Sequence, residues 1–192
     1  MHPVNLERRR LLTASGTATL SAAAVTVLAG WVPGLALAQG SDMSKDVQIL
    51  NVALGLEHEA INVYQLGAKS GLLQKPALDV AILFQAHHKS HREALIATIE
   101  KLGGRPVTEK TLADYAKALQ ADTLKNQGDV LNLAARLEMG AANAYLGVIP
   151  SFKDAALAKV AARLAADETM HWTALATVLG RPLPVAALSF GA

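Results

Sequence analysis

The chain contains no cysteine. Its 192 residues therefore carry no disulfide, no thiolate metal site, no iron–sulfur cluster and no thioether-linked haem. Aromatic residues make up only 4% and charged residues 18%, so aromatic-rich strands and long solvated charge tracts are both excluded. The Val/Ile/Thr alternation of strands is rare as well. Alanine and leucine dominate in its place, which points to an all-α class.

The first 38 residues read as a targeting segment. Arg8-Arg9-Arg10-Leu11-Leu12 has the twin-arginine pattern: two arginines, any residue, then two large apolar ones. A weakly apolar run from Thr13 to Gly30 follows, and Ala36-Leu37-Ala38 supplies a small-x-small cleavage site before Gln39. The expected product is a periplasmic protein of residues 39–192. An uncleaved membrane anchor is the alternative, because the run is nearly long enough to span a bilayer. Removing residues 1–38 takes away three arginines and Glu7, so the 18 basic and 16 acidic side chains fall to fifteen of each. A formally neutral mature chain gives no electrostatic reason to expect nucleic acid or a membrane as partner.

Apolar periodicity divides the remainder into four long helices at about 46–68, 76–102, 128–148 and up to 179. The inward stripes are Ile49, Ala53, Leu56, Ala60 and Tyr64 on the first, and Ala81, Phe84, Leu95 and Leu102 on the second. The third has Val130, Ala134, Leu137, Ala141 and Tyr145. Gly103-Gly104-Arg105-Pro106 and Gly180-Arg181-Pro182 are stop signals. A long connection over 107–127 carries a short helix capped by Thr111-Leu112-Ala113-Asp114, and Ser151-Phe152-Lys153-Asp154 caps the last helix. The apolar tail 183–192 is expected to lie back over the bundle.

Two halves of this pattern match. Asn51, Ala53, Leu56, Glu57, Ala60, Asn62 and Tyr64 recur as Asn132, Ala134, Leu137, Glu138, Ala141, Asn143 and Tyr145 at an offset of 81. Ala86-His87-His88-Lys89-Ser90-His91 matches Ala166-Asp167-Glu168-Thr169-Met170-His171 at an offset of 80. The internal repeat implies two helical hairpins joined by a crossover and related by a pseudo-two-fold axis.

Chemistry enters where polar residues interrupt the apolar stripes. Glu57 and Glu138 lie within the stripes of the first and third helices. A carboxylate there is costly to desolvate unless it is paired, protonated or bound to a metal. On the other two helices the stripes pass through His88 and His91, and through Glu168 and His171. Residues three apart stand about 60° apart around a helix, so each pair can reach one point. These six residues are the candidate metal ligands, and a metal-free buried polar network is the alternative.

This arrangement resembles the ferritin-like, di-iron-carboxylate type of four-helix bundle, over residues 46–179. That family uses one Glu from each of two helices and a Glu-x-x-His from each of the other two. The resemblance places Glu57 and Glu138 at the single-Glu positions and Glu168 with His171 as the complete Glu-x-x-His. It also implies that Asp167 hydrogen-bonds a ligand histidine. The second helix departs from the pattern, with His88 in place of Glu and His87 in place of the supporting acid. Three Glu and three His count against a symmetric di-iron centre. They suit a mono- or dinuclear site for iron, zinc, copper, manganese or nickel better than an all-oxygen site for magnesium or calcium. There is no haem signal.

Other residues have less marked expectations. His87 and His58 either flank the site in solvent or support a ligand, and Tyr64 and Tyr145 either pack in the core or hydrogen-bond a ligand. Glu59 and Glu93 are expected as solvated charges, Trp172 as packing, and Met139 and Met170 as core fillers. Asn62 and Asn143 have no chemical role in this reading. No catalytic residue or substrate can be named. The expectation is redox or metal-handling chemistry on oxygen, peroxide or a metal ion. The alternatives are a non-catalytic sequestering or delivery module and a metal-free structural or partner-binding bundle. A monomer or a homodimer is expected.

Overall fold

A computed structural model describes residues 45–191. The targeting segment and its cleavage site lie outside the described residues. Five α-helices form: α1 Lys45–Lys69, α2 Lys75–Lys101, α3 Leu112–Ala118, α4 Gln127–Val148 and α5 Ala155–Val178. No strand occurs among the described residues. The four long helices make a bundle in which α1 pairs with α2 and α4 pairs with α5. The crossover between the hairpins contains α3 and a 3₁₀ turn at Ala121–Thr123.

Local chemistry sets the helix ends. Pro76 sits in the first turn of α2, where its missing N–H costs nothing. Thr111 and Asp114 close a reciprocal capping box on α3, and Asn126 and Asp129 close another on α4. On α5 the cap is Asp154 alone, which accepts from the Ala156 N–H; Ser151 belongs to a preceding 3₁₀ turn. At the end of α2, Gly103 takes a left-handed φ of 75° while the Gly104 N–H reaches back to the Ile99 carbonyl at 2.9 Å. Gly104 is required by crowding instead: a Cβ there would stand 2.4 Å from Val47 Cγ1 and 3.2 Å from the Ile99 carbonyl oxygen.

A small apolar cluster of Ile49, Val148 and Ala161 and two large ones fill the bundle among the described residues. One gathers Leu50, Leu54, Leu95, Ile99, Leu157 and Leu164 around Tyr145. The other gathers Ala81, Phe84, Leu131, Trp172 and Leu175 around Tyr64. The two tyrosines thus belong to different clusters, and the polar residues lie between them.

The helix faces depart from the stripes in one major respect. Every residue of α1 from Asn51 to Glu59 is buried, because the crossover lies on its outer face. Asn51 holds the crossover there, donating to the Arg105 carbonyl at 3.1 Å and accepting from the Val107 N–H at 2.7 Å. Glu59 is therefore buried, not solvated, at 4% exposure, whereas Glu93 is exposed. Leu102 and Met170, expected inside, are 44% and 49% exposed. Only the end of the apolar tail returns to the bundle: Leu183, Val185 and Leu188 are exposed, while Phe190 packs edge-on against Trp172. The Gly191 N–H donates to Asn143 Oδ1 at 2.8 Å, which gives Asn143 a structural role.

Candidate metal centre

The bundle brings all six candidate ligands into one layer, and all are buried: Glu57, His88, His91, Glu138, Glu168 and His171. Glu57 comes from α1, His88 and His91 from α2, Glu138 from α4, and Glu168 and His171 from α5. Their donor atoms form two groups, Glu57–His88–His91–Glu168 and His88–Glu138–Glu168–His171, each with all its atoms within 4.8 Å of one another. His88 and Glu168 are common to both. The two nitrogens of His88 face opposite ways, Nδ1 to Glu57 at 2.8 Å and Nε2 to Glu138 at 3.1 Å.

Two observations test whether these residues fit a metal ion. First, His91 Nδ1 and Glu168 Oε1 are buried without a hydrogen-bond partner and face each other at 3.3 Å. Glu57 Oε2 stands 3.5 Å from the same nitrogen. Unpartnered buried polar atoms are rare and call for an explanation. Second, two donors about 2.1 Å from one ion stand about 3.0–3.4 Å apart at octahedral or tetrahedral angles. Here His171 Nδ1 lies 3.1 Å from Glu168 Oε2 and 3.4 Å from Glu138 Oε2. The donor set of carboxylate and imidazole suits a transition metal. The residues fit.

The outer atoms of the ligands are held too. His91 turns Nε2 to Asp167 Oδ2 at 3.2 Å, the contact expected of Asp167. His171 turns Nε2 to His87 Nδ1 at 2.9 Å, so His87 contacts a candidate ligand and does not merely flank the cluster. Phe84 stacks on the His171 ring at a centroid distance of 4.0 Å and seals its outer face. Tyr64 on α1 donates its hydroxyl to Glu138 on α4, and Tyr145 on α4 donates to Glu57 on α1. Both tyrosines therefore hydrogen-bond candidate ligand carboxylates across the two hairpins as well as packing in the core. The second polar face of α1 lies elsewhere: His58 Nε2 is 3.3 Å from the Val107 carbonyl, and Asn62 donates to Glu109 at 2.6 Å. His58 thus serves the crossover.

Electrostatics follow from this packing. Burial alone would raise the Glu57 carboxyl, but the hydrogen bond to His88 and the nearby His91 ring outweigh it and bring it to about 2. Glu138 is also lowered, against burial, by His171 and His88. Burial raises Glu168, with too little help from its histidines to reverse this. For His91, burial favours the neutral ring, yet Glu168 and Glu57 hold the proton and push it up to about 10. His88 and His171 are raised against burial by their carboxylates. Burial, then the neighbouring carboxylates, raises Tyr64 and Tyr145 well above the ordinary phenol value, so both keep their protons. Outside the cluster, burial raises Glu59 to about 7 despite Lys110 and Arg136. A cavity of about 20 Å³, room for one water, is lined by Glu59 together with Tyr64, His88 and Glu138.

Residues 45–181 match the family described as a ferritin-like domain. The chain belongs to the ferritin-like domain family. No curated protein matches it. Among solved structures it is similar to the crystal structure of a conserved hypothetical protein, rv2844, from Mycobacterium tuberculosis, at 21% identity and a TM-score of 0.59. That likeness covers 74% of this chain and 96% of the other, and at this identity it concerns the ferritin-like fold alone.

Proposed function

We propose that the protein is an exported ferritin-like metalloprotein that works in the periplasm after cleavage behind Ala38. Its six-residue centre would hold one or two transition-metal ions through Glu57, His88, His91, Glu138, Glu168 and His171. The observation that carries this reading is the convergence of buried donor atoms into two groups, each within 4.8 Å, with His91 Nδ1 and Glu168 Oε1 held 3.3 Å apart and making no hydrogen bond. A transition metal bound there would supply electron exchange with oxygen, peroxide or another metal ion.

The chain's own residues prepare the site. Tyr64 and Tyr145 retain their protons and fix one oxygen of each single-Glu carboxylate. Asp167 and His87 set the ring orientations of His91 and His171. Phe84 stacks on the His171 ring and shields that side of the layer from solvent. Metal uptake must displace the protons that His88, His91 and His171 hold so firmly, so affinity falls as pH falls.

His88 favours a second reading. Both its nitrogens already hydrogen-bond carboxylates, so a charged His88 ring can neutralise Glu57 and Glu138 as an internal cation. The bundle would then hold a single ion, or none, and serve as a sequestering module or a structural one. Metal analysis of protein recovered from the periplasm separates the readings. At least one equivalent of a transition metal, lost in Glu138→Ala, supports the first. Only trace metal, with no thermal stabilisation on adding Fe(II), Zn(II), Mn(II), Ni(II) or Cu(II), leaves the structural reading. Retention in the cytoplasm of a precursor with Arg8 and Arg9 changed to lysine tests the export route.

A further inference from the structure

A cavity of about 330 Å³ enters the bundle from the end where the α1–α2 turn meets the start of α4. All four long helices wall it: Val63 and Tyr64 from α1, Ala81 from α2, Leu131 and Ala134 from α4, and Leu175 from α5. It is therefore a pocket along the bundle axis and not a groove between two helices, and it has the size of a small-molecule site. These six lining residues are all buried, while Val80 and Val178, which also line it, are 36% and 63% exposed. The pocket thus runs from an apolar surface inward to Tyr64.

Its polar groups are few and partly committed. No charged residue lines it. The Tyr64 hydroxyl is engaged by Glu138 on the far side of the ring. Gln127 Oε1 accepts the Gln74 N–H at 2.8 Å, tying the α1–α2 turn to α4. A charged ligand entering here would lose its hydration with no countercharge in return. An apolar one gains contact with small side chains such as Gly67, Ala77 and Ala174. For scale, an apolar cavity of about 150 Å³ accepts benzene.

We propose that this axial pocket is a binding site for a small, uncharged, apolar molecule of about one to two aromatic rings in size. Its occupant rests against the Tyr64 ring, one side chain away from Glu138. Binding itself does not depend on a metal; only the relation to the centre through Tyr64 rests on the function proposed above.

The test uses the full protein and the uncharged two-ring naphthalene probe Prodan. The expected result is saturable binding of one probe per chain with enhanced, blue-shifted emission, displaced by toluene and not by benzoate. Ala77→Leu/Ala174→Leu fills the pocket from two partly buried positions, and Val178→Phe narrows its mouth. Each should weaken the probe at least tenfold with circular dichroism and metal content unchanged. Metal content measured on the same samples separates failure of the pocket from failure of the centre. Absence of saturable binding, equal displacement by benzoate, or unchanged affinity in both folded variants would overturn the proposal.

Discussion

The α1–α2 hairpin and the α4–α5 hairpin contribute to the same polar layer but do so on different terms. At positions matching by 80 residues, α5 supplies Glu168 and His171 where α2 supplies His88 and His91. The supporting residues exchange along with them. Asp167 on α5 holds His91, and His87 on α2 holds His171. The hairpins also differ in cover. The crossover buries the outer face of α1, whereas Asn132 and Arg136 on α4 remain exposed. Glu59 has Gly140 as its counterpart 81 residues on, so α1 alone carries an extra buried carboxyl. Matching sequence thus produces reciprocal hydrogen bonds in the middle of the bundle, while unequal covering makes the environments diverge outside it.

Three experiments bear on this comparison. The largest effect is expected from removing either single carboxylate. Glu57→Ala takes one of their carboxylates from His88 and His91, and Glu138→Ala does the same to His88 and His171. Each should destabilise the metal-free protein by about 3 kcal/mol or more in urea unfolding, because a buried charge loses its partner. A large loss in one variant and none in the other would break the equivalence of the two halves.

Glu59→Gln probes what α1 has and α4 lacks. Glu59 holds its proton up to about pH 7 when folded, against an ordinary glutamate value of 4.5. Between these values the folded state binds the extra proton, so this residue lowers stability as pH rises. The full penalty is present above pH 7 and absent below 4.5. The amide should therefore stabilise the protein by roughly 2–3 kcal/mol at pH 8 and leave it unchanged near pH 4, a difference read from paired denaturant curves. An equal effect at both pH values would contradict burial of Glu59 as its cause.

The tyrosines should behave as a matched pair. Tyr64→Phe and Tyr145→Phe each remove one hydrogen bond to a charged carboxylate and should cost about 1.5–2 kcal/mol. Equal costs support the reciprocal arrangement. A loss confined to one phenol would show that only one carboxylate depends on it.

Much of this was legible in the sequence because it is local. Helical periodicity located the four long helices to within about two residues. Glycine followed by proline marked two stops, and Thr111 with Asp114 marked a cap. The six polar residues stood out because each interrupts an apolar stripe. What escaped notice depends on tertiary neighbours. Nothing near Glu59 in the chain announces that the crossover will cover it, and the Asn51 clamp that places the crossover spans more than fifty residues. For His87, the repeat located the position matching Asp167 but not the ring it would touch. Met170 and Leu102 appear inward by periodicity but end on solvent-facing edges, where apolar residues are tolerated singly. Ser151 looked like a cap, but the chain there forms a 3₁₀ turn before Asp154 caps α5.

The most direct measurement is a Co(II) titration of the metal-free protein at neutral pH, following the visible ligand-field absorption and the protons released. The account predicts saturable binding of at least one ion per chain with net proton release, and loss of both signals in His91→Gln/Glu168→Gln. No absorption band in the wild-type protein, or an unchanged band in that variant, would contradict it.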